Sequence, residues 1–409
     1  MMESGSKSPL VIVGAGLAGL RVAEGARHAG FAGRILLISD ELHAPYDRPP
    51  LSKAVLLNEG HEHEIALATV DGLEAAAIEL RLGQGVTGID RAGRSIELGT
   101  GERLAYDTLV LATGSRVREM QSLPMGAPGV FYMRTLDDAL GLRAALATAT
   151  RIAIVGGGVI GMEIAAVAAA GRSVTVIEAQ PQVMARAASR PVSDFLEQRH
   201  RQAGVNLRLG VTVTEAQSAS DGRWTLTLSD GSRVQADVVV VGIGVVPNVE
   251  LAQRAGLEVG FGGIVTDAFG RTSDPHIFAA GEVALHFNTL HGRHDRQETW
   301  AHAAAHGEHV GRSLVAAGAG YAERGSYWSD QYDINLQVFG TPIGEIDVVR
   351  GDIAAGRFVV FHILSGLIVG VSGVNAVREL RAARKLLGLA APNDLSELAD
   401  ASAPLKAAA

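Results

Sequence analysis

The chain has 409 residues and contains no cysteine. Thiol–disulfide chemistry, a covalent cofactor linkage through cysteine sulfur and a cysteine-ligated iron–sulfur cluster are therefore excluded. Any redox reaction that this chain catalyses would have to be carried out by a bound cofactor.

Positive charge and long apolar runs are also scarce. The chain has 36 Lys and Arg against 44 Asp and Glu, a formal net charge of -8, which argues against a nucleic-acid partner. No apolar run approaches the length of a membrane span, and the N-terminal MMESGSKSP lacks an apolar signal core. We therefore expect a cytoplasmic protein without membrane association, divided into two or three domains.

The stretch LVIVGAGLAGLRVA predicts a buried strand, a glycine turn and a helix. Gly14, Gly16 and Gly19 match G-x-G-x-x-G in the context that this dinucleotide-binding motif requires. The glycines permit a tight turn, close approach of the backbone to a pyrophosphate and packing of the helix on the sheet. Asp40, just after the strand in RILLISD, is the candidate ribose ligand, although Ser39 occupies the strand end. The alternative for Asp40 is a solvated turn.

A second fingerprint lies in RIAIVGGGVIGMEIA, where Gly156, Gly158 and Gly161 repeat the spacing. Glu178 ends the following strand, SVTVIE, where a carboxylate can accept hydrogen bonds from both ribose hydroxyls. A carboxylate at this position repels a 2′-phosphate, so the sequence favours NADH over NADPH.

Three side chains near the second fingerprint have open roles. Arg186 and Arg190 lie close by in sequence and weaken the preference for NADH. Glu163 is expected on the first turn of the fingerprint helix. There it would either compensate the helix dipole or lie beside a nicotinamide.

The alternation of strands and helices predicts an α/β fold with two Rossmann-like dinucleotide-binding domains. The predicted domains are a discontinuous first one at 1–115 and 246–324, a second at 116–245, and a C-terminal one at 325–409. Strand-like segments alternate after residue 325, which predicts a C-terminal α+β domain with an antiparallel sheet. The closing VRELRAARKLLGL is expected to form one basic amphipathic helix.

Four further motifs carry a resemblance to a known family: Tyr46–Lys53 (YDRPPLSK), Met133–Leu136 (MRTL), Val241–Gly244 (VGIG) and Trp328–Tyr332 (WSDQY). With the two fingerprints, they make the chain resemble the two-dinucleotide-domain flavoproteins. More narrowly, it resembles the oxygenase-coupled NADH–ferredoxin reductases of the putidaredoxin and biphenyl-dioxygenase type.

The resemblance implies FAD in the first domain and NADH in the second. Electrons would pass from NADH through FAD to a separate two-iron, two-sulfur ferredoxin that serves a monooxygenase or a Rieske dioxygenase. The enzyme would be a monomer or a homodimer.

The same resemblance implies the cofactor contacts. Beyond the fingerprint residues they are Ala18, Asp40, Arg48, Lys53, Val86, Thr113, Gly114, Arg134, Arg186, Gly244, Gly281, Glu282, Trp300 and Trp328. Lys53 would lie near the flavin N5 and pair with Glu163, which makes these two the candidate catalytic residues. The alternative is a structural salt bridge.

Three of these positions have specific implications. Glu282 stands where the family usually has Asp, which puts the local geometry in doubt. Trp300 would open a helix whose N-terminus points at the flavin, where the helix dipole favours negative charge. Trp328 would shield the flavin from water and oxygen, or be a core tryptophan.

Other clusters favour less specific interpretations. His302, His306 and His309 share a helix face, but no ligand set completes a metal site, so core or surface histidines are favoured. A basic stripe at the C-terminal helix is either a solvated face or a docking site for an acidic ferredoxin: Arg378, Arg381, Arg384 and Lys385. The remaining functional alternatives are an NADH oxidase, a monodehydroascorbate-reductase-like enzyme and an apoptosis-inducing-factor-like redox switch.

Overall fold

The computed structural model describes residues 9–316 and 318–405. The chain folds into two compact units. The first comprises residues up to Asp47, His63–Arg116 and Val245–Gly325; the second comprises Arg48–Glu62, Val117–Gly244 and residues from Ser326 onwards. Within the described residues, no helix combines the length and apolarity that a membrane crossing requires.

The first unit is built on a five-stranded parallel sheet. Its central strand, Leu10–Val13, is buried at all four residues, as expected for a parallel sheet with both faces covered. The strand order across the sheet is Ile277–Ala279, Thr108–Leu111, Leu10–Val13, Ile35–Ile38 and Ile78–Arg81. The helices of this unit are Leu17–His28, Val70–Ala75, Glu250–Arg254 and Trp300–Ser313.

Two smaller sheets complete the first unit. One is antiparallel, with strands Val86–Asp90, Ser95–Leu98 and Arg103–Ala105. The other is mixed, with strands Val259–Gly260, Gly263–Thr266, Ala284–Asn288 and Arg293–Asp295. Short strands Ser115–Val117 and Val245–Pro247 flank the segments that join the units in sequence.

The second unit repeats the parallel architecture. Its five strands lie in the order Asn206–Leu209, Ser173–Glu178, Arg151–Val155, Val238–Val241 and Val130–Tyr132. A three-stranded antiparallel sheet adds Val213–Ser218, Trp224–Leu228 and Arg233–Ala236. The helices of this part are Ala54–Leu57, Leu136–Leu146, Val159–Ala168 and Arg190–Gln202.

The C-terminal part of the second unit is a five-stranded antiparallel sheet. The strand order is Ser326–Gln331, Ile334–Gly340, Leu367–Val374, Arg357–Leu364 and Ile346–Asp352. Alternate residues are buried along Ile334–Gly340, the pattern of a sheet with one covered face. The predicted fold class, with two parallel-sheet dinucleotide folds and a C-terminal antiparallel sheet, is therefore confirmed.

One predicted element is wrong in extent. The C-terminal α-helix covers only Val377–Ala383, and Arg384–Leu386 form a 3₁₀ turn instead of continuing it. This turn buries Leu386 with Leu380 and Ala383 in the core below the sheet. A last short helix is Ser396–Ala399.

Candidate functional site

The two glycine fingerprints have nearly the same backbone geometry. The φ angles of Gly14 and Gly156 are +106° and +108°, values that side-chain-bearing residues rarely adopt. A Cβ would lie 2.2 Å from the carbonyl oxygen of Ala112 at Gly14, and 2.3 Å from that of Gly242 at Gly156. Only glycine fits either position, so both turns are built as dinucleotide-binding turns require.

The second glycine of each fingerprint faces open space. Gly16 and Gly158 are the N-caps of helices Leu17–His28 and Val159–Ala168, and an added Cβ would meet no protein atom within 4 Å at either position. A glycine cap has no side chain to bind the first N–H groups of its helix. Each helix therefore presents N–H donors and its positive dipole end beside space that an anionic pyrophosphate can occupy.

Glu178 is fixed beside the second fingerprint. It is the last residue of strand Ser173–Glu178. Its Oε2 accepts from the Gly157 N–H at 2.6 Å and its Oε1 from the Gln180 N–H at 2.7 Å. The carboxylate is thus oriented before any ligand arrives, and its remaining lone pairs are available to hydroxyl donors.

The two arginines near this turn differ in their surroundings. Arg190 forms an ion pair with Asp194 at 2.7 Å on an exposed face of the helix Arg190–Gln202. Arg186 lies beside the Gly244 turn, where an added Cβ at Gly244 would be 3.5 Å from Arg186 Nη2. Of these two arginines, Arg186 is therefore the one that lies beside the Gly244 turn.

In the first unit, the turn at Thr113 and Gly114 is closed by Asn248. The Thr113 hydroxyl donates to the Asn248 carbonyl and the Asn248 amide donates to the Thr113 carbonyl, both at 2.8 Å. The Asn248 N–H also donates to the Gly114 carbonyl at 2.9 Å. Sequence analysis missed Asn248, which lies far from this turn in sequence.

Gly281 lies directly against the first fingerprint helix. A Cβ there would be 2.6 Å from the Ala18 Cβ, and the Gly281 N–H donates to His306 Nδ1 at 3.1 Å. Half-buried Glu282 follows in the 3₁₀ turn Gly281–Val283. Predicted residues Ala18, Gly281 and Glu282 are thus brought together within the first unit.

Trp300 opens the helix Trp300–Ser313, as predicted, and Thr299 caps it by accepting from the His302 N–H. The indole Nε1–H of Trp300 donates to Asp47 Oδ1 at 2.6 Å. Asp47 lies in the YDRPPLSK motif, so this bond connects the motif to the helix N-terminus. Of the other predicted residues of this unit, Asp40 is exposed and is separated by Ser39 from the end of strand Ile35–Ile38, and Val86 is half-buried at the start of another strand.

The second unit contains a buried ion pair between the two candidate catalytic residues. Lys53 Nζ lies 3.0 Å from Glu163 Oε1, and it also donates to the Pro49 carbonyl at 3.2 Å. Two hydroxyls donate to the same carboxylate: Ser52 Oγ to Oε2 at 2.5 Å and Ser329 Oγ to Oε1 at 2.7 Å. Glu163 therefore has three donors and is only 3% exposed.

The expected position of Glu163 on the first helical turn is wrong. The helix begins at Val159 after its Gly158 cap, so Glu163 is the fifth helical residue and is directed into the protein. Compensation of the helix dipole falls off beyond the first turn, so the ion pair accounts for this residue better. Burial raises the pKa of the Glu163 carboxyl, whereas the Lys53 charge and the hydroxyl donors of Ser52 and Ser329 oppose that rise.

Arg48 and Arg134, both predicted FAD contacts, also meet in the second unit. Arg48 Nη1 donates to the Arg134 carbonyl at 2.5 Å. Asp138 in turn accepts from the Arg134 N–H at 3.0 Å, and it also forms the capping box with Thr135 that begins helix Leu136–Leu146. Trp328 is half-buried in strand Ser326–Gln331.

The residues predicted to contact FAD do not all belong to the same unit. The second unit contributes Arg48, Lys53, Arg134 and Trp328. The first contributes Gly14, Gly16, Ala18, Gly19, Asp40, Val86, Thr113, Gly114, Gly281, Glu282 and Trp300.

His302 and His306 lie in the core of the first unit, with ring centroids 5.0 Å apart. His286 stacks on His302 at 4.6 Å. Burial lowers the pKa of His286 to about 4 and that of His302 to about 3. Among the described residues, no group of three or more His, Cys, Asp and Glu side chains is arranged to hold a metal ion.

Comparison with known proteins yields consistent similarities over nearly the whole chain. The sequence model of the pyridine nucleotide-disulphide oxidoreductases matches residues 8–307, and that of the reductase C-terminal domain matches residues 326–409. The ferredoxin–NAD⁺ reductase component of the anthranilate 1,2-dioxygenase system of Burkholderia cepacia is 44% identical, over 98% of this chain and 99% of that protein.

Two solved structures are similar in fold. The ferredoxin reductase for the CYP199A2 system from Rhodopseudomonas palustris has a TM-score of 0.92 and 37% identity, covering 97% of this chain and 98% of that one. The covalent putidaredoxin reductase–putidaredoxin complex contains a chain with a TM-score of 0.92 and 36% identity, covering 98% of this chain and 97% of that one.

Proposed function

Because the chain belongs to the pyridine nucleotide-disulphide oxidoreductase family and ends in a reductase C-terminal domain, we propose that it is the NADH-dependent ferredoxin reductase of an oxygenase system. It is an oxidoreductase that uses FAD and NADH. Its electron acceptor is a ferredoxin, which passes the electrons to a Rieske dioxygenase or a monooxygenase.

One observation carries this proposal: two dinucleotide turns of matching geometry occur in a chain that has no cysteine. Two such turns suit one chain that binds two dinucleotides. Family members that reduce disulfides need thiols to receive the electrons, and this chain has none. Electrons that enter it must therefore leave to a separate acceptor.

The residues present fit both cofactors. Gly14, Gly16 and Gly19 would hold the FAD pyrophosphate, and Gly156, Gly158 and Gly161 that of NADH. When bound, FAD accepts two electrons from NADH and releases them one at a time, chemistry that no side chain of this protein supplies. Glu178 would accept hydrogen bonds from the NADH ribose and disfavour a 2′-phosphate by charge repulsion.

Lys53 and Glu163 are the candidate catalytic pair of this proposal. The side chain of Lys53 is 17% exposed, so its charge acts where water screens it little. A cation held there would favour a cofactor state that carries more negative charge. Glu163 would keep Lys53 in one position, because its carboxylate and the Pro49 carbonyl hold the ammonium between them.

We propose a two-iron, two-sulfur ferredoxin, a cytoplasmic location and a monomeric or homodimeric enzyme. Exposed basic side chains at the end of the C-terminal domain would favour an acidic partner: Arg378, Arg381, Arg384 and Lys385.

A stopped-flow experiment tests the function. The FAD-loaded protein is reduced with NADH and mixed with two-iron ferredoxins, with cytochrome c, or with dissolved dioxygen. Faster reoxidation by a ferredoxin than by dioxygen is expected. Reoxidation that is fastest with dioxygen would instead indicate an NADH oxidase and contradict the proposal.

A further inference from the structure

A continuous chain of hydrogen bonds leads from Glu163 to the C-terminal hairpin and the end of a helix. Ser329 Oγ lies 2.7 Å from Glu163 Oε1, and Gln331 Nε2 lies 3.0 Å from Ser329 Oγ. His200 Nε2 lies 2.8 Å from Gln331 Oε1, and the Tyr332 hydroxyl lies 3.1 Å from His200 Nδ1. Ser329, Gln331 and His200 are each at most 1% exposed.

The carboxylate at one end determines the direction of every bond. Paired with Lys53, Glu163 is taken as ionised, and an ionised carboxylate only accepts, so Ser329 then donates its one proton to Glu163. Ser329 can then only accept from Gln331, which orients the Gln331 amide with Nε2 toward the serine. The remaining Nε2–H of Gln331 faces Met184 Sδ at 3.6 Å, a weak acceptor.

The same reasoning assigns the His200 tautomer. Gln331 Oε1 accepts, so His200 must carry its proton on Nε2 and accept at Nδ1 from the Tyr332 hydroxyl. Burial lowers the pKa of His200 to about 4 and raises that of Tyr332 to about 12. At neutral pH His200 is therefore uncharged and Tyr332 keeps its proton. All four donors point toward Glu163.

Tyr332, at the end of the hydrogen-bond chain farthest from Glu163, has a strained backbone conformation. Tyr332 begins the turn between strands Ser326–Gln331 and Ile334–Gly340 with a φ of +56°, which is unfavourable for an aromatic residue. The Arg199 guanidinium lies 4.7 Å above the Tyr332 ring and pairs with Asp333 at 3.0 Å. Such strain is retained when surrounding contacts require one side-chain position. In this turn the Tyr332 hydroxyl lies 3.1 Å from His200 Nδ1.

We propose that Tyr332, His200, Gln331 and Ser329 are positioning residues that polarise a one-way hydrogen-bond chain toward Glu163 and keep this buried carboxyl ionised and paired with Lys53. The inference deepens the proposed function, because it rests on the role given there to the Lys53–Glu163 pair. Hydrogen bonds in series strengthen one another, so each upstream donor makes the Ser329 hydroxyl a better donor.

The charged groups around the carboxyl fit this role. Lys53 supplies the only positive charge within ion-pair distance of Glu163 among the described residues, and Arg199 lies at the far end of the chain. Burial alone would favour a neutral carboxylic acid. A neutral acid would leave Lys53 without its counter-charge, so the donors that favour the anion also keep the lysine in position.

The first experiment determines the His200 tautomer by nitrogen-15 NMR on the histidine-labelled, FAD-loaded protein. The chain has 13 histidines, and comparison with His200→Gln identifies the His200 signals. A neutral Nε2–H ring that does not titrate between pH 5 and 8 is expected. A protonated Nδ1, or a charged ring at neutral pH, would overturn the proposal.

The second experiment measures protonation of Glu163 by infrared spectroscopy, with Glu163→Gln identifying the carboxyl band. Gln331→Leu removes the donor to Ser329, and we expect the proton affinity of Glu163 to rise by about threefold to tenfold. Gln337→Leu is the matched control, because this glutamine of the same hairpin donates to Asn335 at 2.8 Å. Equal shifts in both variants, or none in Gln331→Leu, would overturn the proposal.

Tyr332→Phe provides a test if Gln331→Leu does not fold, because it deletes one partly exposed hydroxyl. The His200 tautomer should persist, and the Nδ1 signal should move as its donor is lost. An unchanged Nδ1 signal would contradict the proposed hydrogen bond from Tyr332 to His200. Neither readout involves ferredoxin or NADH, so a failure of the proposed function would leave these results unaffected.

Discussion

Lys53 Nζ lies 3.0 Å from Glu163 Oε1, in a pair whose side chains are 17% and 3% exposed. Removing one member of a buried pair leaves the other charge without compensation. We expect Glu163→Gln to lower the free energy of unfolding by about 3 kcal/mol. The double variant Lys53→Met/Glu163→Gln should recover at least half of that loss, because no unpaired charge remains. Urea denaturation measures both values.

The control for this prediction is the exposed pair Arg103–Glu97, with side chains 65% and 46% exposed. Deleting the Arg103 charge should change stability by less than about 1 kcal/mol, since exposed pairs contribute little. If Glu163→Gln lowers the free energy of unfolding no more than the Arg103 substitution does, the Lys53–Glu163 pair behaves energetically like an exposed pair, which would contradict this prediction.

Substitution of the second glycine of a fingerprint should weaken ligand binding without disturbing folding. Gly158 has a φ of -74° and no protein atom near an added Cβ, so Gly158→Ala should fold normally. It should weaken NADH binding at least about tenfold, because the methyl group occupies the space for the pyrophosphate. Gly156→Ala should instead destabilise the protein, because its Cβ would clash with the Gly242 carbonyl. Titration with NADH and thermal unfolding distinguish these outcomes; normal NADH affinity in Gly158→Ala would refute the assignment.

Glu178 should determine the choice of nicotinamide cofactor. Glu178→Ala removes the charge that repels a 2′-phosphate, so the ratio of kcat/KM for NADH to that for NADPH should fall about tenfold or more. Glu215→Ala, on an exposed strand position, is the control and should keep the original ratio. An unchanged ratio in Glu178→Ala would show that the ribose contact is misassigned.

The buried histidines of the first unit predict a loss of stability in acid. The pKa of His286 is lowered to about 4 and that of His302 to about 3, from an ordinary value near 6.5. Their contribution is complete above pH 6.5, where both states are neutral, and is lost as the pH falls toward 4, because only the unfolded chain binds protons. Each histidine should cost about 2 kcal/mol between pH 7 and pH 5.

Urea denaturation at pH 7, 6 and 5 checks this pH dependence. His286→Phe should reduce the loss of stability between pH 7 and pH 5 by about 2 kcal/mol, the contribution expected of one histidine. His28→Gln, at an exposed position, should leave that loss unchanged. Equal pH slopes in the wild type and His286→Phe would mean that His286 is not held neutral.

The parts of the site that depend on local sequence could be predicted. The fingerprint glycines were found because their roles depend on a fixed spacing within one strand–turn–helix unit. The approach of Lys53 to Glu163 follows from family resemblance alone, since a separation of 110 positions gives no local signal. The sequence predicts Glu163 one helical turn too early, because helix starts are set by caps that sequence places only approximately.

The residues that were missed come together from distant segments. Asn248 closes a turn at Thr113, and His200 meets Gln331 across 131 sequence positions. One signal was available: Ser329 and Gln331 are two apart in a strand, so polar side chains recur on the same face. Burial of that face could not be deduced from the motif itself, because it depends on helices from elsewhere in the chain.

The hydrogen-bond chain from Tyr332 to Glu163 also restricts how relatives can be recombined. The C-terminal hairpin supplies Ser329, Gln331 and Tyr332, whereas His200 and Glu163 come from helices of the second dinucleotide fold. A hybrid protein could take only its C-terminal domain from a relative. It would keep the hydrogen-bond chain only if that relative also has histidine at the position that corresponds to His200. The C-terminal domain therefore cannot be exchanged independently of the second dinucleotide fold. Successful grafts should transfer the helix Arg190–Gln202 together with the hairpin of strands Ser326–Gln331 and Ile334–Gly340.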